Sequence, residues 1–344
     1  MTIEEALLGL LDGQTLISSE MESIMSEIMD GQISPIKIAA FLVLLRQRGE
    51  EVEEIYGAAR AILNHAEQPI LEGDPIDTCG TGGDGANTFN ISTAASLIAH
   101  ACGVKVAKHG NRSISSRCGS ADVLEAMGFK IDLPKKETEE LFKETGFVFL
   151  FAPIFHKAMK NVAPVRKELG LRTIFNMLGP LINPARTQRQ IIGVYSKDLT
   201  GMFAQVLRQF DAKHCLILHG QTDEGGILDE PSVCGPTYIS ELQHGTVRTY
   251  TVHPEDFGLR RHSISQLKGG DARENAQIIW QILDKNGPEA REDAVVFTAG
   301  MACYVAELTP SIKEGIDKAR QAIHSGAAKQ SVERLLEKHR NLVI

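Results

Sequence analysis

Long apolar runs are missing from this 344-residue chain. No stretch of about 18 consecutive apolar residues occurs, so no membrane span is expected. A Cys-x-x-Cys pair is missing too. The six cysteines, Cys79, Cys102, Cys118, Cys215, Cys234 and Cys303, are scattered, which argues against a disulfide framework or a zinc site and fits a reducing cytoplasm. Cys79 and Cys118 read as small buried thiols, because neither stands in a local signature of a nucleophile. Basic charge is in deficit: 36 Lys and Arg against 44 Asp and Glu leave a net charge of −8. Nucleic acid is therefore not expected as the main partner. The first residues, Met-Thr-Ile-Glu-Glu-Ala-Leu-Leu, carry acids at once and no basic region, unlike a signal peptide. Internal repeats and low-complexity segments are also absent.

What is present is ordinary in proportion, with 43% apolar and 23% charged residues, and the length predicts about two domains. Residues 1–66 read as helical throughout. Thr2 and Glu5 form a capping box before Ile3, Ala6, Leu7, Leu10 and Leu11 at helical spacing. Gly13 ends that helix. Ser19 and Glu22 are expected to open a second helix, which Gly31 stops. Ser34-Pro35 opens a third, running to Arg48, and a fourth covers about residues 50–65. From Pro75 the pattern changes to alternating strand and helix, with strands expected at 76–79, 104–107, 148–152, 190–195 and 215–219. Residues 272–341 return to helix. The predicted fold class is α/β: a small N-terminal all-helical domain, then a larger α/β domain with a mostly parallel central sheet and C-terminal helices.

Residues 77–93 read Asp-Thr-Cys-Gly-Thr-Gly-Gly-Asp-Gly-Ala-Asn-Thr-Phe-Asn-Ile-Ser-Thr. The glycines Gly80, Gly82, Gly83 and Gly85 lie between an expected strand and an expected helix. Their bare backbone allows N–H groups to turn toward an anion, with the positive end of the following helix behind them. A plain glycine turn is the competing reading. A dinucleotide fold would need an acid about 20 residues on to hold ribose hydroxyls. Lys108, His109 and Arg112 stand there instead, and no Gly-Lys-Ser/Thr closes a Walker loop.

Three further segments carry chemistry. Lys108, His109, Gly110, Asn111, Arg112, Ser113, Ile114, Ser115 and Ser116, followed by Ser120, combine bases and hydroxyls suited to phosphate oxygens. Ser120 either caps a helix over 121–127 or touches ligand. The segment 151–184 holds His156 and Arg166. Arg166 can grip a carboxylate with two parallel N–H bonds or form a surface ion pair. Asp229-Glu230, in a glycine-rich loop, is either a solvated turn or a magnesium-binding pair.

Together these segments resemble the anthranilate phosphoribosyltransferase family over nearly the whole chain. The Lys-His-Gly-Asn-Arg loop and the Arg-Thr-x-Phe-Asn-x-Leu-Gly-Pro-Leu run, residues 172–181, are its most specific features. The Gly-Thr-Gly-Gly-Asp loop alone is shared with pyrimidine nucleoside phosphorylases. The resemblance implies transfer of ribose 5-phosphate from phosphoribosyl pyrophosphate to the amine of anthranilate, in tryptophan biosynthesis. It implies that Gly80, Gly83, Asp84, Thr88, Asn90, Ile91, Ser92 and Thr93 hold the donor, and that Lys108 to Ser116 with Ser120 close round it. Asn111 and Arg166 resemble the anthranilate contacts, with His109 and His156 nearby. Ser92, Asp229 and Glu230 match the metal ligands of a site for Mg²⁺, with two ions expected. A homodimer through the N-terminal helices is implied as well. Residues 1–70, joined by helices from about 165–188, are expected to form one domain and residues 71–344 the other.

Some positions depart from the family pattern. Lys157 follows His156 where proline is usual, Pro231 follows Glu230, and Phe297-Thr298-Ala299 replaces a more usual Leu-Asn-Ala. An added Asp223-Glu224 competes as the acidic pair. A nucleoside phosphorylase of the same fold, with a nucleobase pocket in place of Asn111 and Arg166, is one rival reading. A non-catalytic nucleic-acid-binding relative is the other, and it expects a degraded glycine loop, missing acids and a basic surface.

Overall fold

The structure, a computed structural model, describes residues 1–113 and 117–342. Four helices open the chain: α1 (Ile3–Leu11), α2 (Ser18–Met29), α3 (Pro35–Arg48) and α4 (Val52–Asn64). The predicted capping box of α1 forms. Thr2 Oγ1 accepts the Glu5 N–H at 3.2 Å, and the Glu5 carboxylate accepts the Thr2 N–H at 2.7 Å. Pro35 occupies the first turn of α3, where its missing N–H has no intrahelical acceptor to lose. The start of α2 differs from expectation. It begins at Ser18, and the capping carboxylate is that of Glu20, which accepts the Ile17 N–H at 3.2 Å. Ser19 thus lies inside the first turn, while Glu22 pairs with Arg60 at 2.5 Å.

An eight-stranded sheet follows, made of β1 (Ile76–Gly80), β2 (Val106–Gly110), β3 (Phe147–Phe151), β4 (Arg189–Gly193), β5 (His214–Gln221), β6 (Ile227–Leu228), β7 (Thr237–Gln243) and β8 (Thr246–Val252). Between the strands run α5 (Ile91–Ala101), α6 (Ser120–Met127), α7 (Lys135–Thr145), α8 (Ala152–Phe155), α9 (Ala163–Leu169), α10 (Phe175–Leu178) and α11 (Asp198–Gln209). The chain closes with α12 (Ala272–Leu283), α13 (Glu289–Val305), α14 (Ile312–His324) and α15 (Ala327–Asn341). Strand order is β3-β2-β1-β4-β5-β7-β8, with β6 paired to β5. The first five strands are parallel, and β6, β7 and β8 are antiparallel.

The hairpin β7–β8 and the short β6 were not among the expected strands. The hairpin has a readable signal: alternating residues on both sides of His244-Gly245, both at positive φ (49° and 73°), the backbone that a two-residue hairpin turn demands.

Alternation along the central strands divides the apolar residues between two cores. Ile191, Leu216, Leu218 and Ile239 face the core built with α5, α6 and the C-terminal helices. Their neighbours Ile192, Cys215, Ile217 and Leu242 face the other core, which contains α1 to α4, α11 and the segment from Val162 to Ile182. Each fully buried Ile or Leu contributes about 1.5–3 kcal/mol, so the period of two holds the sheet between both layers. Within it β1 lies between β2 and β4, the point where chain order reverses. In an open α/β sheet the crevice outside the carboxyl ends of the strands at that point receives ligands.

Candidate active site

The glycine stretch leaves β1 at the reversal point. Gly82, Gly83 and Gly85 adopt φ of 69°, 78° and 72°, a left-handed backbone that other residues rarely take. Gly80 and Gly193 are paired neighbours at the carboxyl ends of β1 and β4. A Cβ on either would collide with Asp229. The two glycines therefore let the Asp229-Glu230 loop lie directly across the strand ends. There the Asp229 carboxylate accepts the Gly82 N–H at 2.6 Å, its own N–H donates to Asp84 Oδ2 at 3.3 Å, and Asp84 Oδ1 accepts the Ala86 N–H at 3.0 Å. Glu230 accepts the Ser92 N–H at 2.9 Å, at the N-terminus of α5. Positive partial charge at that helix end favours the carboxylate.

Three acids thus meet in a confined space. Asp229 and Glu230 keep partial solvent access while protein atoms crowd them from most sides. Burial, then the neighbouring Asp84 and Glu230 carboxylates, pushes the Asp229 pKa well above the usual range. Burial also pushes Glu230 up to about 7, against the pull of Lys108. Lys108 is 1% exposed and bonds the Thr78 carbonyl and, at 3.4 Å, Ser92 Oγ.

Lys108 and His109 were expected in the loop after β2. They lie within the strand, which runs to Gly110. The β2 backbone, rather than a loop, fixes the buried ammonium beneath the acids. The mutual repulsion of these carboxylates and the Ser92 hydroxyl make a hard, all-oxygen donor set that fits a divalent cation such as Mg²⁺. Among the described residues no group of three or more His, Cys, Asp or Glu side chains is placed to hold a metal ion by itself, so a Mg²⁺ ion here would depend on the waters and substrate phosphates it ordinarily keeps.

The other predicted donor-side residues surround this centre. Asn90 Oδ1 accepts from Asn275 Nδ2 at 2.8 Å, and Asn90 Nδ2 donates to the Cys118 carbonyl at 3.3 Å. Thr88 bridges to Lys268, and the Phe89 N–H donates to the Leu267 carbonyl at 3.0 Å, so the segment before α12 braces the glycine loop. Ile91 and Thr93 are buried in the first turn of α5. Arg112 is drawn outward to Asp122 (3.0 Å) and Glu125 (2.8 Å). Ser113 donates its N–H to Asp122 at 3.0 Å. Ser120 does not cap α6: that position belongs to Gly119, whose N–H is held by Asp122 at 2.9 Å, and Ser120 Oγ reaches the Asn111 carbonyl at 3.4 Å. Ile114, Ser115 and Ser116 lie outside the described residues.

Acceptor-side candidates follow β2, β3 and α9. His109 and His156 are buried with ring centroids 5.2 Å apart. His109 Nε2 has no hydrogen-bond partner, and the ring nitrogens of His156 make none of good geometry, although the Ile182 backbone lies close enough to favour the protonated ring slightly. Burial lowers the pKa of His156 to about 4 and that of His109 well below the usual value, with the neighbouring His156 adding to the latter. Both rings are neutral near pH 7. Arg166 stacks on Phe175 at 5.1 Å, and burial alone lowers its pKa. No carboxylate among the described residues pairs with its guanidinium. Asn111 is exposed at the end of β2.

Comparison with known proteins bears on this constellation. Residues 4–66 match the glycosyl transferase family helical bundle domain, and residues 72–329 match the glycosyl transferase family a/b domain. An anthranilate phosphoribosyltransferase from Pelodictyon phaeoclathratiforme is 52% identical over 98% of this chain and 96% of its own length. This chain belongs to the anthranilate phosphoribosyltransferase family. Among solved members, the enzyme from Thermus thermophilus superposes with a TM-score of 0.90 at 42% identity, over 97% of this chain and 99% of that one. The Saccharomyces cerevisiae enzyme, solved in complex with PRPP and Mg, gives 0.88 at 30% identity over 99% and 98%. That yeast protein has also been solved in complex with 4-fluoroanthranilate.

Within this anthranilate phosphoribosyltransferase fold, several supporting residues escaped the sequence reading. Asp77 is fully buried and accepts the His109 N–H at 3.1 Å and Asn183 Nδ2 at 2.8 Å, while Asn183 also donates to the Ala107 carbonyl at 2.8 Å. These bonds lock the strand ends that carry the glycine and lysine segments. Asp77 and Asn183 lie 106 residues apart, and no linear spacing links them. The rival acidic pair lies at the tip of the β5–β6 hairpin, where Asp223 is held by Arg261 at 2.7 Å. Lys157, at the proline position, pairs with Glu67 at 3.0 Å.

Proposed function

We propose that this enzyme transfers the phosphoribosyl group of phosphoribosyl pyrophosphate to anthranilate, giving N-(5-phosphoribosyl)anthranilate and pyrophosphate for tryptophan biosynthesis. The observation that carries the reading is the meeting of the glycine loop, buried Lys108 and the Asp229-Glu230 pair at one crevice; Arg166, with no carboxylate partner among the described residues, supports an acceptor role for α9. Backbone N–H groups of the glycine loop and the first turn of α5 face the donor's phosphates. The anthranilate amine attacks C1 of the ribose, the C–O bond to pyrophosphate breaks, and the amine then gives up a proton. An aromatic amine is a free base at neutral pH, so positioning carries the step and no strong general base is required. Arg166 holds the acceptor carboxylate, Asn111 assists, and the neutral imidazoles of His109 and His156 line the acceptor side.

Asp229, Glu230 and Ser92 are the residues that would hold Mg²⁺, one ion or two. When bound, the metal offsets the charge growing on the departing pyrophosphate. The test is product formation from anthranilate, phosphoribosyl pyrophosphate and Mg²⁺, with a ribonucleoside and phosphate as the control pair. Turnover of the control pair alone would favour a phosphorylase. Chelation should stop the reaction, and Asp229→Asn with Glu230→Gln should raise the Mg²⁺ requirement sharply. A larger effect from Asp223→Asn with Glu224→Gln would move the metal site to the hairpin tip.

The same reading includes a homodimer through the N-terminal helices and a helical unit formed by residues 1–70 with about 165–188. Exposed Leu8 and Leu11 on α1 and Ile36 and Val43 on α3 support the first. The shared core of α1–α4 with Val162, Val165, Ile174 and Phe175 supports the second. Sedimentation of the wild type and of Ile36→Glu tests the dimer. A cytoplasmic location agrees with six free cysteines, and no helix among the described residues is long and apolar enough to cross a membrane.

A further inference from the structure

Between α9 and α10, the residue after Leu171 makes a contact that the donor and acceptor roles above do not use. Arg172 donates from Nη2 to the carbonyl of Gly83, and its guanidinium lies over the Tyr195 ring at 4.7 Å. A Cβ on Gly83 would stand 2.6 Å from that nitrogen and push the guanidinium aside, and the φ of 78° there disfavours any other residue. The Tyr195 N–H in turn donates to Thr81 Oγ1 at 3.1 Å, and the Thr81 N–H donates to the Gly193 carbonyl at 2.9 Å. Arg172, Tyr195 and the end of β4 therefore grip the glycine loop from its outer side. Gly170, left-handed at φ 61°, ends α9, and the Thr173 N–H bonds Asn176 Oδ1 at 2.9 Å as α10 begins. Arg172 is the pivot of this turn, six positions after Arg166.

Peptide planarity adds the consequence. No cis peptide bond occurs among the described residues, so the Gly83 carbonyl and the Asp84 N–H point in opposite directions. With the carbonyl held outward by Arg172, the Asp84 N–H is aimed across the loop, away from Arg172 and toward the cradle. We infer that Arg172 is a positioning residue for the donor site: by fixing the Gly83–Asp84 peptide plane it turns an amide toward the anion. This rests on the phosphoribosyl transfer reading for its substrate, but not for its binding test.

Three variants decide it. Arg172→Met keeps the length and loses the donors, Arg172→Lys keeps one cationic donor without the planar stack, and Tyr195→Leu removes the ring beneath the guanidinium. Hydrogen bonds to charged groups lie at the upper end of the usual range, so Arg172→Met should raise the donor KM about ten-fold or more. The anthranilate KM should stay within about three-fold. Arg172→Lys should recover part of the loss, and Tyr195→Leu should raise the donor KM about three-fold, the scale of an exposed cation–π contact. Arg172 is exposed, so the melting temperature of both Arg172 variants should stay near the wild type, while half-buried Tyr195, packed against the helical-side core, makes Tyr195→Leu the one variant expected to lower it. Calorimetric titration with Mg²⁺ and inorganic pyrophosphate should show the same order of weakening. An unchanged donor KM, an equal rise in both KM values, or a lysine variant no better than methionine would overturn the inference. If the wild type does not turn over anthranilate at all, the transfer reading falls. The pyrophosphate titration still judges Arg172: equal binding by wild type and Arg172→Met rejects its role.

Discussion

On the proposed donor side of the crevice, polar groups are already engaged with one another. The Gly82 N–H is held by Asp229, the Ser92 N–H by Glu230, and the Lys108 ammonium by Thr78 and Ser92. On the proposed acceptor side the opposite holds. Arg166 rests on an aromatic ring without a carboxylate, and His109 and His156 are buried, neutral and without a charged partner. A polyanion with a metal can exchange into the first arrangement, since loop and helix N–H groups that now hold carboxylates can hold phosphate oxygens. A small aromatic acid can fill the second by supplying the missing carboxylate and covering neutral rings. The proposed donor groups are thus charged and bonded to one another, and the proposed acceptor groups are buried or half-buried without ionic partners.

The contrast breaks first at Lys108. It is the buried cation that opposes the rise of Glu230 and Asp77. Lys108→Met removes one partner of a buried charge cluster, which typically costs about 3–5 kcal/mol. Urea unfolding should register that loss along with the loss of turnover. An unaltered unfolding midpoint would mean the acids neutralise themselves by protonation.

Next in size is the response of the acceptor side to acid. His156 falls from 6.5 unfolded to about 4 folded. Between those values the unfolded chain binds more protons, so stability decreases as pH drops from 6.5 toward 4, by about 3 kcal/mol in total. Above 6.5 both states are neutral and the group contributes nothing. His156→Gln should flatten that part of the stability–pH curve. If the variant follows the wild-type curve, His156 is not the titrating group.

Arg166→Ala should raise the anthranilate KM by roughly thirty-fold, about 2 kcal/mol, and leave the donor KM within a factor of about three. Aniline, lacking the carboxylate, should lose little further in this variant. Equal losses for both amines would place Arg166 in the fold or the donor half. The smallest effect is expected at Asn111, where a neutral hydrogen bond is worth about 1 kcal/mol. Asn111→Ala should shift the anthranilate KM about five-fold, read from the same two-substrate kinetics.

Local signals carried much of the fold. Thr2 with Glu5, Pro35, and the glycines Gly13, Gly31 and Gly49 after α1, α2 and α3 operate within a few residues, so their chemistry is complete in the linear order. β3 and the Cys215–Leu218 part of β5 were legible as apolar runs because they are buried on both faces, whereas β1, β2 and β4 mix polar residues into short strands and β2 lies two to three residues later than expected. β8 was not legible, since most of its residues are exposed or half-exposed and only its turn marks it. The α2 start misled for a local reason as well: Ser19-x-x-Glu22 and Ile17-x-x-Glu20 compete for one helix end, and packing of the apolar face chose the second.

The candidate site divides along the same line. From the sequence alone came its ingredients: glycines able to expose N–H groups, bases where a ribose-binding acid would stand, an adjacent acidic pair, and an arginine of the right shape for a carboxylate. Those properties belong to residue types and short spacings. Only the tertiary structure decided that Lys108 is a buried strand residue rather than a loop base, and that Asp229 lies on Gly80 and Gly193 because neither has a side chain to exclude it. The links of Asp77 to Asn183 and of Arg172 to Gly83 were settled there too. Such contacts depend on which strand ends become neighbours, and the packing of the sheet between two apolar cores sets that.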